Sequence, residues 1–165
     1  MILLLSRKGV PYDKTCFKLF PTTLKKVFRE VKIMKIDFVV TWVDNNDVEW
    51  RTTKNFYAGL SSNIQEEQGG DLRYRDWGGL LQYWFRGVEK FTPWVNKIHF
   101  VTYGHVPKWL NLNHPKLNIV KHKEFMKEEY LPTFNSCAIE INLHKIEGLA
   151  ENFVYFNDDF LSLII

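Results

Sequence analysis

Four short runs of β-branched and aromatic residues recur along the chain, and segments with helical spacing or turn residues separate them. The runs predict strands at residues 36–43, 97–103, 117–121 and 153–157. Strands that alternate with helices favour a mostly parallel sheet flanked by helices. We therefore predict an α/β domain at residues 36–165, preceded by a weakly patterned N-terminal extension at residues 1–35.

Helical segments are predicted between these strands. Residues 45–72 are polar and indicate a helix plus a loop, and residues 78–91 carry apolar side chains at helical spacing. Residues 136–146 predict a further helix, with Asn135 or Ser136 as its cap and Gly148 at its end.

The composition is that of an ordinary globular domain. The chain has 165 residues, of which 45% are hydrophobic and 25% charged, enough for one packed core. A net charge of +3 suits anionic ligands such as nucleotides, but it is too small to predict a nucleic-acid partner. Cys16 and Cys137 match no zinc or disulfide spacing, which favours reduced thiols and a cytoplasmic location. No apolar run is long enough to predict a membrane span.

Acidic residues follow the first and the last predicted strands. Asp44 closes the first, and Asp158 and Asp159 close the last. In open α/β sheets, ligands bind outside the carboxyl ends of the strands, and paired carboxylates there can hold a divalent metal against a phosphate. Trp42 could stack on a base and Asp44 could bind ribose hydroxyls, so this edge suits a nucleotide-sugar. The alternative is that these residues simply form turns.

Arginines precede the second predicted helix. Arg73 and Arg75 offer planar groups suited to phosphate oxygens, and Asp76 could cap the helix. Surface ion pairs of these arginines with Asp71 or Asp76 are an equally good interpretation.

Glu140 and His144 stand four residues apart, so a helix would place them on one face. Such a pair could supply a general base or a metal ligand, or it could be a solvated surface pair. Other histidines and tryptophans receive structural interpretations. The histidines are predicted at the surface and the tryptophans as packing residues: His105, His114, His122, Trp94 and Trp109.

Short segments in a fixed order resemble the conserved blocks of the Stealth family of sugar-phosphate transferases. The first block corresponds to residues 36–44, IDFVVTWVD. The second corresponds to residues 73–76, RYRD; 88–95, VEKFTPWV; 98–102, IHFVT; 106–110, VPKWL; 131–134, LPTF; 138–140, AIE; 143–144, LH; and 157–159, NDD. The resemblance covers residues 36 to about 160.

The resemblance implies a function as well as a fold. The family includes bacterial capsular and exopolysaccharide phosphotransferases and the lysosomal-enzyme N-acetylglucosamine-1-phosphotransferase. It implies a glycosyltransferase-A or Rossmann-like fold. It also implies transfer of a sugar-1-phosphate from a nucleotide-sugar to a hydroxyl of a polysaccharide or glycan acceptor, with Mg²⁺ or Mn²⁺.

Individual roles follow from the same resemblance. Glu140 and Asp159 match acidic residues of the family that are catalytic, and Asp158 and Asp159 match its metal-binding pair. Three further positions match residues that bind the nucleotide-sugar donor or lie near it in the family. Asp44 matches the acid of the nucleotide-binding loop, and Arg75 and Asp76 match positions near the donor.

Two departures from the family keep alternatives open. Asn45 stands where many members have glycine, and the family normally continues beyond Asp159 into further conserved blocks. We therefore expect an incomplete fold, in which the apolar residues 160–165 promote self-association. The alternatives are a non-catalytic nucleotide-sugar-binding fragment and an ordinary metal-dependent glycosyltransferase. The basic residues 25–29 leave open a peripheral contact at the inner face of the membrane.

Overall fold

The computed structural model describes residues 35–59 and 79–158. The elements of these two ranges are, in chain order, β1 (Ile36–Trp42), α1 (Val48–Tyr57), α2 (Leu80–Phe91), β2 (Ile98–Thr102), β3 (Leu117–Lys121), α3 (His122–Phe125), a 3₁₀ turn (Glu128–Tyr130), α4 (Ser136–Glu140), a second 3₁₀ turn (Leu143–Lys145) and β4 (Asn152–Asn157). All four predicted strands are confirmed. The predictions for residues 1–34, 60–78 and 159–165 lie outside the described residues; these include Cys16, residues 25–29, Arg73, Arg75, Asp76, Asp159 and the apolar tail.

The four strands form one sheet in the order β3-β2-β1-β4, and every pair of neighbours is parallel. The predicted α/β class is therefore confirmed, and the arrangement is consistent with the glycosyltransferase-like fold that the resemblance implies. The chain moves from β1 outward to β2 and β3, and then returns to place β4 on the other side of β1. This reversal makes the gap between β1 and β4 a topological switch point.

Helix α2 covers one face of the sheet. Phe38 and Val40 of β1 and Phe100 of β2 pack against the buried side of the helix, which includes Trp84. Phe156 of β4 completes the cluster, with its ring centroid 4.9 Å from Phe38 and 5.3 Å from Trp84. The helical spacing predicted for residues 78–91 therefore reports a true apolar face.

The other face of the sheet is covered by short segments. Val39, Val101 and Val120, one from each of β1, β2 and β3, form its centre. The residues that pack on them from outside the sheet are Phe125, Met126, Leu143 and Ile146. In a 3₁₀ turn, side chains three residues apart lie above one another, so Leu143 and Ile146 can both be buried.

The predicted helix at residues 136–146 is wrong in its second half. Asn135 does cap it, by accepting a hydrogen bond from the Cys137 N–H at 3.0 Å. The α-helix ends at Glu140, because Asn142 Nδ2 donates to the Ala138 carbonyl at 2.8 Å and the backbone tightens into a 3₁₀ turn. Glu140 and His144 therefore do not share a helical face, and His144 is exposed.

The start of α2 also differs from the prediction. Its N-cap is Gly79, which has a φ of 80° and makes no side-chain cap, in place of the predicted Asp76. Glycine suits this position because a left-handed backbone strains residues that carry a Cβ.

In the two described ranges, no helix combines the length and apolar character needed to cross a bilayer.

A buried carboxylate joins the amino ends of the strands. Asp37 of β1 is fully buried and accepts four hydrogen bonds: from Asn96 Nδ2 (2.7 Å), Lys97 N–H (3.0 Å), His99 Nε2–H (3.0 Å) and Ala150 N–H (2.8 Å). Burial alone would raise the pKa of Asp37. The hydrogen bonds from Asn96, Ala150 and His99 outweigh it and hold the pKa below its ordinary value of 3.8.

Replacing Asp37→Asn tests this network. The amide turns an N–H₂ group toward buried donors, so we expect the free energy of unfolding to fall by about 3 kcal/mol in urea denaturation at pH 7. Because the folded-state pKa is lowered, the contribution is complete above pH 3.8 and is lost as the pH falls through the folded-state value. The exposed Glu151→Gln serves as the control. A loss for Asp37→Asn no larger than the control's would contradict a structural role for the network.

Candidate functional site

The carboxyl ends of all four strands lie at one edge of the sheet, because the strands are parallel. Thr41 and Asn157 are paired in register across β1 and β4, so the segments containing Asp44 and Asp158 leave the sheet from adjacent strands. The predicted acidic sites after the first and last strands therefore follow the two adjacent strands that flank the switch point. This position is where open α/β sheets bind ligands.

Polar side chains converge on the phenol of Tyr155 at this edge. Alternation along the strands places Thr41, Tyr155 and Asn157 on the same face of the sheet. Tyr155 OH donates to Asn157 Oδ1 at 2.6 Å, is 3.1 Å from Thr41 Oγ1, and lies 3.3 Å from Glu140 Oε1. The end of α4 thus brings Glu140 against the last strand.

The pKa of Tyr155 reports the carboxylates around it. Burial and the negative charges of Glu140 and Asp158 together raise the pKa to about 12, against a lowering hydrogen bond with Thr41. The phenol is therefore protonated at neutral pH and can donate its hydrogen bond. Glu140 lies 3.3 Å from this hydroxyl, and Asp158, which directly follows β4, acts on it through its charge.

The loop after β1 holds the predicted nucleotide-binding acid. Asp44 Oδ1 accepts a hydrogen bond from the Asn46 N–H at 2.8 Å, and the Asp47 N–H donates to the Asp44 carbonyl at 3.2 Å. Asp47 then caps α1 through the Trp50 N–H at 2.8 Å. Asp44 therefore does form a turn, as the structural alternative predicts, and it does so at the ligand-binding edge of the sheet.

His105 contacts the same loop, and its predicted surface position is wrong. Its side chain is only 12% exposed. The Asp44 N–H donates to His105 Nε2 at 2.8 Å, and Nδ1 lies 3.4 Å from Asp47 Oδ2. The imidazole also packs edge-on against Trp42, with ring centroids 5.4 Å apart. His105 thus contacts both Trp42 and Asp44, the two residues of this strand end that are predicted to bind the donor.

His122 is the second histidine whose predicted surface position is wrong. It begins α3 at the carboxyl end of β3 and is 9% exposed, and its Nδ1 has no hydrogen-bond partner among the described residues. Burial, aided by the nearby His105, lowers the pKa of His122 to about 4. It lines a cleft of about 630 Å³ together with Tyr103 and Lys121.

Other sequence-based interpretations have mixed outcomes. His114 is exposed, as predicted. Trp94 and Trp109 do pack, with ring centroids 5.8 Å from Phe38 and 5.8 Å from Phe85 respectively, yet they remain 55% and 42% exposed. Cys137 is an exposed free thiol.

Sequence reasoning missed Tyr155, Asn157, Thr41 and His105 as parts of the site. One signal was available for the first two, because Tyr155 and Asn157 lie two residues apart at the end of a strand and must share a face. His105 carried no such signal, since its role depends on β2 lying beside β1.

Two conserved regions of a known protein family match this chain. Residues 73–164 match Stealth protein CR2, conserved region 2, and residues 34–62 match Stealth protein CR1, conserved region 1. The chain belongs to the Stealth family. The CR2 match begins at Arg73 and extends beyond Asp159, so most of the candidate Stealth site falls within this region.

Several curated relatives of this Stealth chain come from streptococci. It is 54% identical to the capsular polysaccharide phosphotransferase WcwK of Streptococcus pneumoniae over 126 residues, which are 76% of this chain and 37% of the relative. It is 55% identical to the capsular polysaccharide phosphotransferase CpsJ of Streptococcus thermophilus over 124 residues, 75% of this chain and 52% of the relative. It is 51% identical to the receptor polysaccharide phosphotransferase WefC of Streptococcus gordonii over 127 residues, 77% of this chain and 38% of the relative. The matched region thus spans 37% to 52% of these relatives' length.

The neutral state of His122 predicts a sensitivity to acid. The unfolded chain binds a proton on this histidine near pH 6.5, whereas the folded chain binds it only near pH 4, so stability falls as the pH is lowered between these values. The loss attributable to His122 is about 3 kcal/mol. Urea denaturation across this pH range should show a shallower loss for His122→Phe than for the wild type. His114→Phe, at an exposed position, is the control; equal slopes for His122→Phe and wild type would refute the prediction.

Proposed function

We propose that this Stealth chain contributes to the transfer of a sugar-1-phosphate from a nucleotide-sugar to a hydroxyl of a polysaccharide or glycan acceptor, in capsular or exopolysaccharide synthesis. The observation that carries the proposal is the convergence of Glu140, Asp158 and Tyr155 at the switch point of a parallel sheet. The names of the streptococcal relatives support the same chemistry. A cytoplasmic location, at the inner face of the membrane, is part of the proposal.

The donor would bind at the end of β1. Trp42 would offer an aromatic surface to the base, and Asp44 would accept hydrogen bonds from ribose hydroxyls. Asp44 Oδ1 is engaged by the Asn46 N–H, and we assign the donor contact to the other carboxylate oxygen. Arg75 and Asp76 are proposed as additional donor-binding residues, with the Arg75 guanidinium binding diphosphate oxygens.

Glu140 is proposed as the general base. The acceptor hydroxyl loses its proton to Glu140 while its oxygen attacks the phosphorus next to the sugar. The bond from that phosphorus to the bridging oxygen breaks, and a nucleoside monophosphate leaves. The Tyr155 hydroxyl lies 3.3 Å from Oε1, and it would orient the Glu140 carboxylate by turning its one proton from Asn157 Oδ1 to Glu140. Phosphoryl transfer depends mainly on such positioning and on charge neutralisation.

The oxygen donors at this edge fit a divalent metal. Asp158, Asn157 and Glu140 offer hard oxygen atoms, and Mg²⁺ usually takes only one or two protein carboxylates together with water and phosphate. Within residues 35–59 and 79–158, no group of three or more acidic, histidine or cysteine residues is placed to hold a metal. Asp158 and Asp159 would therefore hold Mg²⁺ or Mn²⁺ jointly with the donor. When bound, the metal would neutralise diphosphate charge.

An assay of the purified chain tests this proposal. A panel of UDP- and GDP-sugars with Mn²⁺ and a glycan acceptor is followed by release of the nucleoside monophosphate. We expect Glu140→Gln to lower kcat by about 100-fold or more, because the proton acceptor is lost. We expect Tyr155→Phe to lower kcat by a smaller factor, and Asp158→Asn to weaken metal-dependent donor binding. The exposed Glu147→Gln is the matched control.

The outcomes separate the proposal from its alternatives. Because the matched region spans only 37% to 52% of the relatives' length, calorimetric donor binding is measured alongside turnover. Binding without turnover would favour the non-catalytic nucleotide-sugar-binding fragment. Release of nucleoside diphosphate in place of the monophosphate would favour an ordinary metal-dependent glycosyltransferase. Turnover that survives Glu140→Gln would remove Glu140 from the mechanism.

A further inference from the structure

We propose that His105 is a positioning residue that holds the loop of residues 44–47 in its donor-binding conformation. This inference rests on the proposed function, because it concerns the loop assigned to the donor. The loop joins β1 to α1, whereas His105 follows β2. The histidine therefore links the carboxyl ends of two neighbouring strands.

The ring of His105 contacts both ends of this loop. The Asp44 N–H donates to Nε2 at 2.8 Å, so Nε2 carries no proton and the proton of the neutral ring is on Nδ1. Nδ1 lies 3.4 Å from Asp47 Oδ2, close enough for electrostatic attraction but long for a hydrogen bond. The histidine contributes to lowering the pKa of Asp47, after the larger effect of the Trp50 N–H.

His105 is itself held firmly. Thr102 Oγ1 donates to the His105 carbonyl at 2.7 Å, and the Gly104 N–H donates to the same Thr102 oxygen at 3.3 Å. Gly104 has a φ of 155°, which side chains with a Cβ rarely adopt, so the tight turn favours glycine. The ring is packed between Trp42 and Tyr103, with centroids 5.4 and 6.1 Å away.

These contacts connect His105 to the donor rather than to the chemical step. It touches Trp42 and Asp44, which we assign to the base and the ribose. Among the described residues, none of its hydrogen bonds or ring contacts reaches Glu140 or Tyr155. Loss of the Nε2 acceptor would leave the Asp44 N–H without its partner and free the loop to rotate. We therefore expect a change in donor affinity, with kcat at saturating donor nearly unchanged.

Two substitutions separate hydrogen bonding from packing. His105→Phe keeps an aromatic ring between Trp42 and Tyr103 but removes the acceptor. His105→Gln removes the ring but can place its Oε1 where Nε2 accepts the Asp44 N–H. If His105 acts by holding Asp44, the glutamine variant retains function and the phenylalanine variant loses it. If it acts only by packing, the order is reversed.

The experiment has two readouts on the purified chain. Hydrogen exchange of the Asp44 amide, followed by ¹H–¹⁵N NMR, reports the hydrogen bond without any ligand. Calorimetry with the donor panel and Mn²⁺ reports affinity. We expect His105→Phe to speed exchange at Asp44 and to raise Kd by about tenfold, and His105→Gln to stay within about threefold of wild type. His114→Phe, at an exposed histidine, controls for the loss of an imidazole.

Each result supports or overturns the inference. Unchanged exchange and affinity in His105→Phe would overturn it, as would loss of both in His105→Gln with both retained in His105→Phe. If His105→Phe does not fold, the glutamine variant decides alone, since retained protection at Asp44 supports the inference and lost protection overturns it. Failure of the wild-type chain to bind any donor would instead refute the proposed function for this chain, while amide exchange would still decide whether His105 holds the loop.

Discussion

Asp37 lies at the amino end of β1, where its buried carboxylate accepts hydrogen bonds from the segment before β2, from β2 itself and from the segment before β4. Asn118 Nδ2, from β3, adds a contact of 3.0 Å to the His99 ring. A buried carboxylate without such partners would be strongly destabilising. All four strands are therefore connected at their amino ends by one polar network, which fixes how they are staggered.

That stagger determines what meets at the opposite edge. With the amino ends held together, the parallel register pairs Thr41 with Asn157 and Thr41 with Val101, and the strands end at nearly the same level. At this edge, Asp44 lies beside His105 on one flank of β1. On the other flank, Glu140 at the end of α4 lies beside Tyr155 of β4. The three parts of the sheet have different roles. Apolar strand centres provide the packing, the amino ends hold the register, and the carboxyl ends carry the groups suited to a charged ligand.

The sequence predicted the sheet well, because buried strands leave a strong local signal. The four strands, the class of fold and the placement of Asp44 and Asp158 at one edge followed from apolar runs that end in acids. The errors arose where a specific hydrogen bond or a tertiary contact overrides the local pattern. Asn142 turned a helix into a 3₁₀ segment through one bond to Ala138. His122 is buried and His105 is mostly covered because neighbouring segments pack over them. From the sequence, Tyr155 is an ordinary strand-forming residue. Its role depends on Glu140, which lies 15 residues earlier in the chain and contacts it only in the folded structure.

We propose that the carboxyl edge between β1 and β4 binds a nucleotide-sugar with a divalent metal. Paramagnetic broadening by Mn²⁺ in the ¹H–¹⁵N spectrum, recorded with a saturating donor, tests it most directly because it locates the metal on the protein. We expect the amide signals of Glu140, Asn157 and Asp158 to broaden first, while those of Asp37 and His99 at the amino ends stay sharp. Broadening centred elsewhere, such as at Gln82 and Lys116 in the groove of about 520 Å³ beside α2, would contradict it.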